Sequence, residues 1–135
     1  MAGPPWDFRC SMTVLGSLVS IVDDDLSIRE SIPDLLKESG FRARAFASAK
    51  EFLDSDAVLK TECLILDISM PAMTGPELWG EMKRRGIRIP VIFITAGRNE
   101  SLRSQLIREG AVNCLFKPFA DTALLDALKA AGQND

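Results

Sequence analysis

The chain has no histidine among its 135 residues. This absence excludes general acid–base catalysis by histidine, a Ser-His-Asp triad and zinc sites built on histidine. The three cysteines, Cys10, Cys63 and Cys114, are widely spaced and form no CxxC pair. We therefore expect neither a disulfide framework nor a cysteine zinc site, and we expect a cytoplasmic location, where thiols stay reduced.

Basic charge and long apolar segments are also scarce. The formal net charge is −3, from 16 basic and 19 acidic residues, so the basic excess typical of nucleic-acid-binding proteins is missing. The apolar stretch Val14–Val22 is broken by Gly16, Ser17 and Ser20 and runs into three aspartates, unlike a signal peptide. No segment is long and apolar enough to span a bilayer, so we predict no membrane partner.

Short apolar runs alternate with helical patterns from residue 18 onward. Most of these runs are continuously apolar, as parallel strands buried on both faces should be, whereas the second alternates and suits an edge strand. The pattern predicts an α/β fold with a doubly wound, five-stranded parallel sheet and helices on both faces. The runs are Leu18–Val22, Phe41–Phe46, Cys63–Leu66, Val91–Thr95 and Asn113–Phe116.

The length favours a single domain, which we place at residues 18–131. We expect residues 1–17 to be a flexible N-terminal tail and residues 132–135 to be a C-terminal tail or the start of a linker. Pro33 falls inside the first helix, where we expect a kink or a distorted turn rather than loss of the helix. Capping boxes predict three helix starts, at Ser27–Glu30, Ser48–Glu51 and Thr74–Glu77. Glycines predict three helix ends, at Gly40, Gly86 and Gly110.

An acidic triplet, Asp23-Asp24-Asp25, stands directly behind the first apolar run. Carboxylates crowded at a strand end repel one another unless a positive group lies among them, and Mg²⁺ prefers such oxygen ligands. Aspartate also favours turns and helix N-caps, so the triplet alone leaves a metal site and a solvated cap both open. We expect Asp25 to cap the first helix rather than to bind metal.

The other strand ends carry chemically matched groups. Asp67 directly follows the third run, the fourth ends at Thr95, and Lys117 follows the fifth. Ligands bind at the carboxyl ends of strands in an open parallel sheet, so we expect these groups to converge on Asp23 and Asp24. Such a set is typical of phosphoryl transfer to a carboxylate.

In this interpretation Asp67 is the nucleophile, and its ionised carboxylate needs no general base. Asp23 and Asp24, with Asp67 itself, hold Mg²⁺, for which Mn²⁺ could substitute. Lys117 supplies a fixed positive charge for a phosphoryl oxygen, and Thr95 offers a hydroxyl donor.

These motifs resemble those of the receiver domains of two-component response regulators. The match covers about residues 18–131, and the residues of its motifs are most similar to those of the FixJ-type subgroup. The resemblance implies a flavodoxin-like (CheY-like) sheet in the order 2-1-3-4-5. It also implies phosphorylation of Asp67 by a sensor histidine kinase. The motifs that carry it are Asp23-Asp24, Asp67-Ile-Ser-Met-Pro71 with Gly75, Thr95-Ala96 and Lys117-Pro118-Phe119.

The resemblance further assigns roles around the phosphoacceptor. The backbone carbonyl of Ser69 completes the metal ligands Asp23, Asp24 and Asp67, Thr95 is the switch hydroxyl, and Lys117 senses the phosphate. Positions that tune access to the phosphate are occupied by Ser69, Ala96 and Gly97, all small.

One position departs from the family pattern. The family usually carries Tyr or Phe three residues before the lysine, and here Cys114 stands there. Because a cysteine is too small to report by the same rotamer change, we expect coupling through the fourth helix and fifth strand to be weaker or carried differently.

The output implied by the resemblance is a changed surface, not a product, so we do not expect turnover of an external substrate. The fourth helix and fifth strand would form a homodimer face on phosphorylation, and DNA would be bound only through an output domain absent from this chain. Two alternatives remain. The first is a Mg²⁺-dependent phosphohydrolase with an aspartyl nucleophile, which is disfavoured because haloacid-dehalogenase-type enzymes carry a second acid at the position of Ser69. The second is a phosphate-independent interaction module, which is disfavoured because all the site residues are intact.

Overall fold

The computed structural model describes residues 17–133. The strands are β1 (Leu18–Val22), β2 (Arg42–Phe46), β3 (Cys63–Asp67), β4 (Val91–Thr95) and β5 (Asn113–Phe116). The helices are α1 (Leu26–Glu38), α2 (Ala49–Asp54), α3 (Gly75–Arg84), α4 (Glu100–Arg108) and α5 (Asp121–Gln133), and a 3-10 turn, Asp56–Leu59, follows α2.

The domain boundaries 18 and 131 stay a prediction, and the described residues extend slightly beyond both of them. The predicted N-terminal tail lies outside the described residues except for Ser17, which is buried and accepts a 3.0 Å hydrogen bond from the Arg42 N–H through its carbonyl. At the other end α5 continues to Gln133, two residues past the predicted limit at 131.

All five strands are parallel and lie in the order β2-β1-β3-β4-β5, which confirms the predicted fold class and strand order. Every residue of β1, β3 and β4 is buried, as continuous apolar runs predict for central strands. The edge position of β2 is also confirmed, and its exposed Arg42 and Arg44 are charges that discourage pairing with a further strand.

The core is divided into two layers by the sheet. Successive side chains of a strand point to opposite faces, so Leu64 and Leu66 of β3 pack on one side and Cys63 and Ile65 on the other. The first layer includes residues of α2, α3 and α4, and the second includes residues of α1 and α5. Helices therefore cover both faces and leave the strand ends free to build a site.

Of the three predicted capping boxes, the one at Thr74 is confirmed in full and the one at Ser48 is confirmed for one of its two hydrogen bonds. At Thr74 both reciprocal hydrogen bonds form, with Glu77 as partner. At Ser48 the side chain accepts the Glu51 N–H, but the Glu51 carboxylate accepts the Ala47 N–H instead.

The prediction that Ser27 caps α1 is wrong. Asp25 is the N-cap, and its Oδ1 accepts both the N–H and the hydroxyl of Ser27, at 2.9 and 2.8 Å. A carboxylate is favoured over a hydroxyl at this end because it also complements the helix dipole. The role expected for Asp25 is thereby confirmed.

The helix ends behave as predicted. Gly40, Gly86 and Gly110 each lie two residues past a helix and adopt positive φ, from 76 to 117°. Helix α1 runs through Pro33 without interruption, so the helix is retained as expected; the kink stays a prediction.

Candidate functional site

Three carboxylates meet at the carboxyl edge of the sheet. Strands β1 and β3 are neighbours, with Val22 opposite Leu66, so the next residues along each strand, Asp23 and Asp67, lie side by side. Oxygen atoms of Asp23, Asp24 and Asp67 all lie within 4.8 Å of one another. Asp23 and Asp67 are buried, whereas Asp24 is exposed. The three carboxylates therefore meet as expected from the sequence.

Lys117 bridges the two buried carboxylates from the end of β5. Its Nζ lies 2.8 Å from Oδ2 of Asp23 and 3.6 Å from Oδ1 of Asp67. Burial disfavours the charged ammonium, but the hydrogen bond to Asp23 and the charges of both aspartates outweigh it, and the pKa of Lys117 is raised. The ammonium therefore stays charged and partly neutralises the cluster.

The electrostatics of the site centre on Asp67. Burial, followed by the negative charge of Asp23, raises its pKa from 3.8 to about 7, although Lys117 acts in the opposite direction. One ammonium thus leaves the three carboxylates undercompensated. Since hard oxygen ligands with surplus negative charge are what Mg²⁺ requires, the donor set fits such an ion.

Hydrogen bonds hold the β1–α1 loop at the cluster. The Asp23 N–H donates to the carbonyl of Phe46 at 3.1 Å, and the Asp25 N–H donates to Oδ1 of Asp23 at 2.9 Å. Hydrogen bonds from Ser27 lower the pKa of Asp25, which caps α1. Among the described residues, the acids whose oxygens lie close enough together to hold a metal ion do not include Asp25.

Two residues near this loop and strand β3 were not assigned a role from the sequence. Arg29 donates a 3.0 Å hydrogen bond from Nη1 to the carbonyl of Asp23. Gly75 donates its N–H to the carbonyl of Ile68 at 3.0 Å, and a Cβ there would lie 2.3 Å from the carbonyl oxygen of Asp67. In the sequence Gly75 belongs to a recognisable motif, but the motif does not show that a side chain at this position would collide with the backbone of Asp67. No sequence signal marks Arg29.

Thr95 lies at the end of β4, the strand next to β3. Its side chain is buried, and its Oγ1 accepts a 3.3 Å hydrogen bond from the Gly97 N–H. The carbonyl of Thr95 accepts the Lys117 N–H at 2.7 Å, so the two residues are joined through the main chain. Ser69, Ala96 and Gly97 are exposed, which leaves the surroundings of the site open to solvent.

The profile of the response regulator receiver domain matches residues 19–129. The chain belongs to this family. Two relatives of the receiver domain are nodulation protein W of Bradyrhizobium diazoefficiens, 40% identical over 119 residues, and the transcriptional regulatory protein TdiR of Thauera aromatica, 37% identical over 123 residues. These alignments cover 88% and 91% of this chain but 52% and 54% of the relatives.

Solved structures give the same family. The receiver domain superposes on the response regulator StyR with a TM-score of 0.79 at 37% identity, covering 87% of this chain and 60% of that one. It superposes on the FixJ-N crystal structure with a TM-score of 0.79 at 31% identity, covering 90% and 98%. The receiver domain spans about half the length of the curated relatives it matches. Within residues 17–133, no helix has the length and hydropathy needed to cross a membrane.

The position of the missing aromatic lies in the interface between α4 and β5 of this receiver domain. Cys114 is buried in the layer that also contains Leu106 of α4, and burial raises the pKa of its thiol. Arg103 of α4 donates from Nε to the carbonyl of Cys114 at 3.1 Å and from Nη2 to Oδ1 of Asn113 at 3.2 Å. Arg103 therefore adds a hydrogen-bonded link between α4 and β5 to the apolar contact of their buried side chains.

Proposed function

We propose that this receiver domain accepts one phosphoryl group on Asp67, in a reaction that depends on a divalent cation. The observation that carries the proposal is the meeting of Asp23, Asp24 and Asp67 within 4.8 Å, with Lys117 between the two buried carboxylates. A structural role alone does not account for this arrangement, because burying like charges costs stability.

Asp67 is the acceptor because of its place in the sheet. Strand β3 lies between β1 and β4, so Asp67 has the acids of the β1 end on one side and Thr95 on the other. Asp23 is less suitable, since one of its oxygens binds Lys117 and the other accepts the Asp25 N–H. In the reaction an Asp67 carboxylate oxygen forms a bond to phosphorus, and the bond from phosphorus to the donor breaks.

The cation would be held by the carboxylates of Asp23, Asp24 and Asp67, with the backbone carbonyl of Ser69 as a fourth protein ligand. Mg²⁺, or Mn²⁺ in its place, supplies charge neutralisation for the phosphoryl oxygens when bound. Lys117 offers a second positive charge, and it can leave Asp23 for a phosphoryl oxygen as the cation replaces it there.

The domain then acts as a switch. The Thr95 hydroxyl is next to the acceptor strand and would turn toward the phosphoryl group, and the main-chain bond from Lys117 to Thr95 links the ends of β4 and β5. Exposed Ser69, Ala96 and Gly97 leave water access to the acyl phosphate. We expect no turnover of an external substrate, because the family is one of signalling domains.

The partners follow from the relatives. We propose a sensor histidine kinase in the cytoplasm as the phosphoryl donor, and a homodimer through α4 and β5 after phosphorylation. The relatives, about half of whose length is covered by the alignments, include proteins named as transcriptional regulatory proteins. DNA would accordingly be contacted by an output domain and not by this acidic receiver domain.

The test is incubation with acetyl phosphate and Mg²⁺ followed by intact-mass measurement. We predict an increment of one phosphoryl group that disappears in Asp67→Asn or with EDTA. The matched control is Asp34→Asn, which removes an exposed carboxylate of α1 and should leave the increment unchanged. Absence of the increment in the wild type would sink the proposal. Steady hydrolysis of p-nitrophenyl phosphate that depends on Asp67 would favour a phosphohydrolase instead.

A further inference from the structure

Arg29 lies in the first turns of α1 and reaches back to the loop that carries two of the proposed cation ligands. Its Nη1 donates a 3.0 Å hydrogen bond to the carbonyl of Asp23. That carbonyl belongs to the peptide that joins Asp23 to Asp24, so the contact acts on the link between two ligands. The arginine is half-buried, and a hydrogen bond from a charged donor is worth more there than on an open surface.

The rest of the loop explains why this link needs a partner. Asp23 is completely buried and is fixed by Phe46, Asp25 and Lys117. Asp24 is exposed, so packing does not set the direction of its carboxylate. The Asp23–Asp24 peptide therefore sets the direction in which the Asp24 side chain leaves the backbone.

We propose that Arg29 is a positioning residue for the cation site. By holding the Asp23 carbonyl, it fixes the Asp23–Asp24 peptide and turns the Asp24 carboxylate toward the oxygens of Asp23 and Asp67. The inference rests on the proposed function, since it requires a divalent cation at these three acids. Outer partners that orient ligands commonly change metal affinity by about 10–100-fold.

The charge of Arg29 acts in the opposite direction to its positioning role. A guanidinium near three carboxylates repels an incoming cation, although solvent and salt weaken this over distances beyond about 8–10 Å. Replacing Arg29 by Gln removes the repulsion and would by itself tighten cation binding. Weaker binding in a folded Arg29→Gln variant would be opposite to the effect of the removed charge, and it would support the loss of the positioning contact.

The experiment measures Mn²⁺ binding to the full 135-residue chain by electron paramagnetic resonance. We predict that Arg29→Gln weakens binding roughly tenfold. Arg29→Lys should recover part of the affinity, because an ammonium can still donate to the carbonyl. The matched control, Lys37→Gln, removes an exposed positive charge from the last turn of α1 and should change the affinity by less than about twofold.

The outcomes separate this inference from the proposed function. Unchanged or tighter binding in Arg29→Gln would overturn the positioning role while leaving the function standing. If Arg29→Gln loses helical circular dichroism in EDTA at the measuring temperature, Arg29→Met replaces it as the variant without a donor, and wild-type Mn²⁺ affinity in folded Arg29→Met would overturn the positioning role. A wild type that neither binds Mn²⁺ nor gains the phosphoryl increment would overturn both.

Discussion

Gly75 packs directly against the backbone at the end of β3, the strand that carries Asp67. A Cβ at this position would lie 2.3 Å from the carbonyl oxygen of Asp67 and 3.1 Å from Cα of Ile68. Both neighbours are backbone, so no flexible side chain can give way. An alanine must therefore displace the start of α3 or the end of β3, and Asp67 lies at that end.

We predict that Gly75→Ala lowers the free energy of unfolding by roughly 1–3 kcal/mol, as overpacking does, and slows phosphorylation by acetyl phosphate. Urea unfolding and the initial rate of the mass increment measure the two effects. Gly80→Ala is the matched control: Gly80 lies in the same helix with nothing within 4 Å of its added Cβ, so about 0.5–1 kcal/mol of stabilisation is expected. Equal rates for Gly75→Ala and wild type would contradict the steric argument.

At the level of elements, α4 is tied to β5 by Arg103. The guanidinium spans the carbonyl of Cys114 and the side chain of Asn113, and Asn113 Oδ1 also accepts the Cys114 N–H at 2.8 Å. Cys114 itself contributes little surface to this interface, because it is small. We therefore expect Arg103 to contribute more to the stability of the α4–β5 contact than it would if an aromatic side chain stood at position 114.

We predict that Arg103→Gln speeds amide hydrogen exchange across α4 severalfold and costs roughly 1 kcal/mol of stability, while the rate of phosphorylation stays unchanged. Exchange followed by mass spectrometry on the peptide covering α4 is the measurement. Arg108→Gln, an exposed arginine of the last turn, is the control. If both variants exchange alike, Arg103 does not hold the helix.

The sequence predicts the elements best where one physical signal dominates. Strands β1, β4 and β5 match the predicted runs residue for residue. For β1 and β4 the reason is burial along the whole strand, which favours a nearly continuous apolar run. The edge strand β5 is only partly buried, but it is still mainly apolar. At the start of α1 two capping signals overlap: the capping box at Ser27 was wrong, whereas the cap expected at Asp25 is confirmed, because the Asp25 carboxylate competes better than the Ser27 hydroxyl.

For the whole molecule, the site could be predicted because parallel strands end at one edge. Asp23, Asp67 and Lys117 are far apart along the chain, yet topology alone brings them together. The contacts of the long arginine side chains could not be predicted in this way. The contacts of Arg29 and Arg103 depend on rotamers and helix orientation, for which spacing in the sequence gives no rule.

The acidic site also affects the stability of the whole fold. Burial and the charge of Asp23 raise the pKa of Asp67 from 3.8 to about 7. Between these pH values the folded state keeps a proton that the unfolded state releases, so the free energy of unfolding falls as pH rises through this window. Above pH 7 the full cost of the buried charge is present, and a cation among the carboxylates offsets it.

We therefore predict that Asp67→Asn is more thermostable than the wild type at pH 8 in EDTA, by roughly 4 °C for about 1 kcal/mol in a domain of this size. The gap should narrow toward pH 5, where Asp67 is protonated in the folded protein. It should also narrow when Mg²⁺ is added at pH 8, because only the wild type keeps all three carboxylates. Melting curves of both proteins across pH give the difference directly, since every other titrating group is common to them. A gap independent of pH and of Mg²⁺ would mean that Asp67 is not destabilised by its charged neighbours, and the electrostatic account of the site would have to be abandoned.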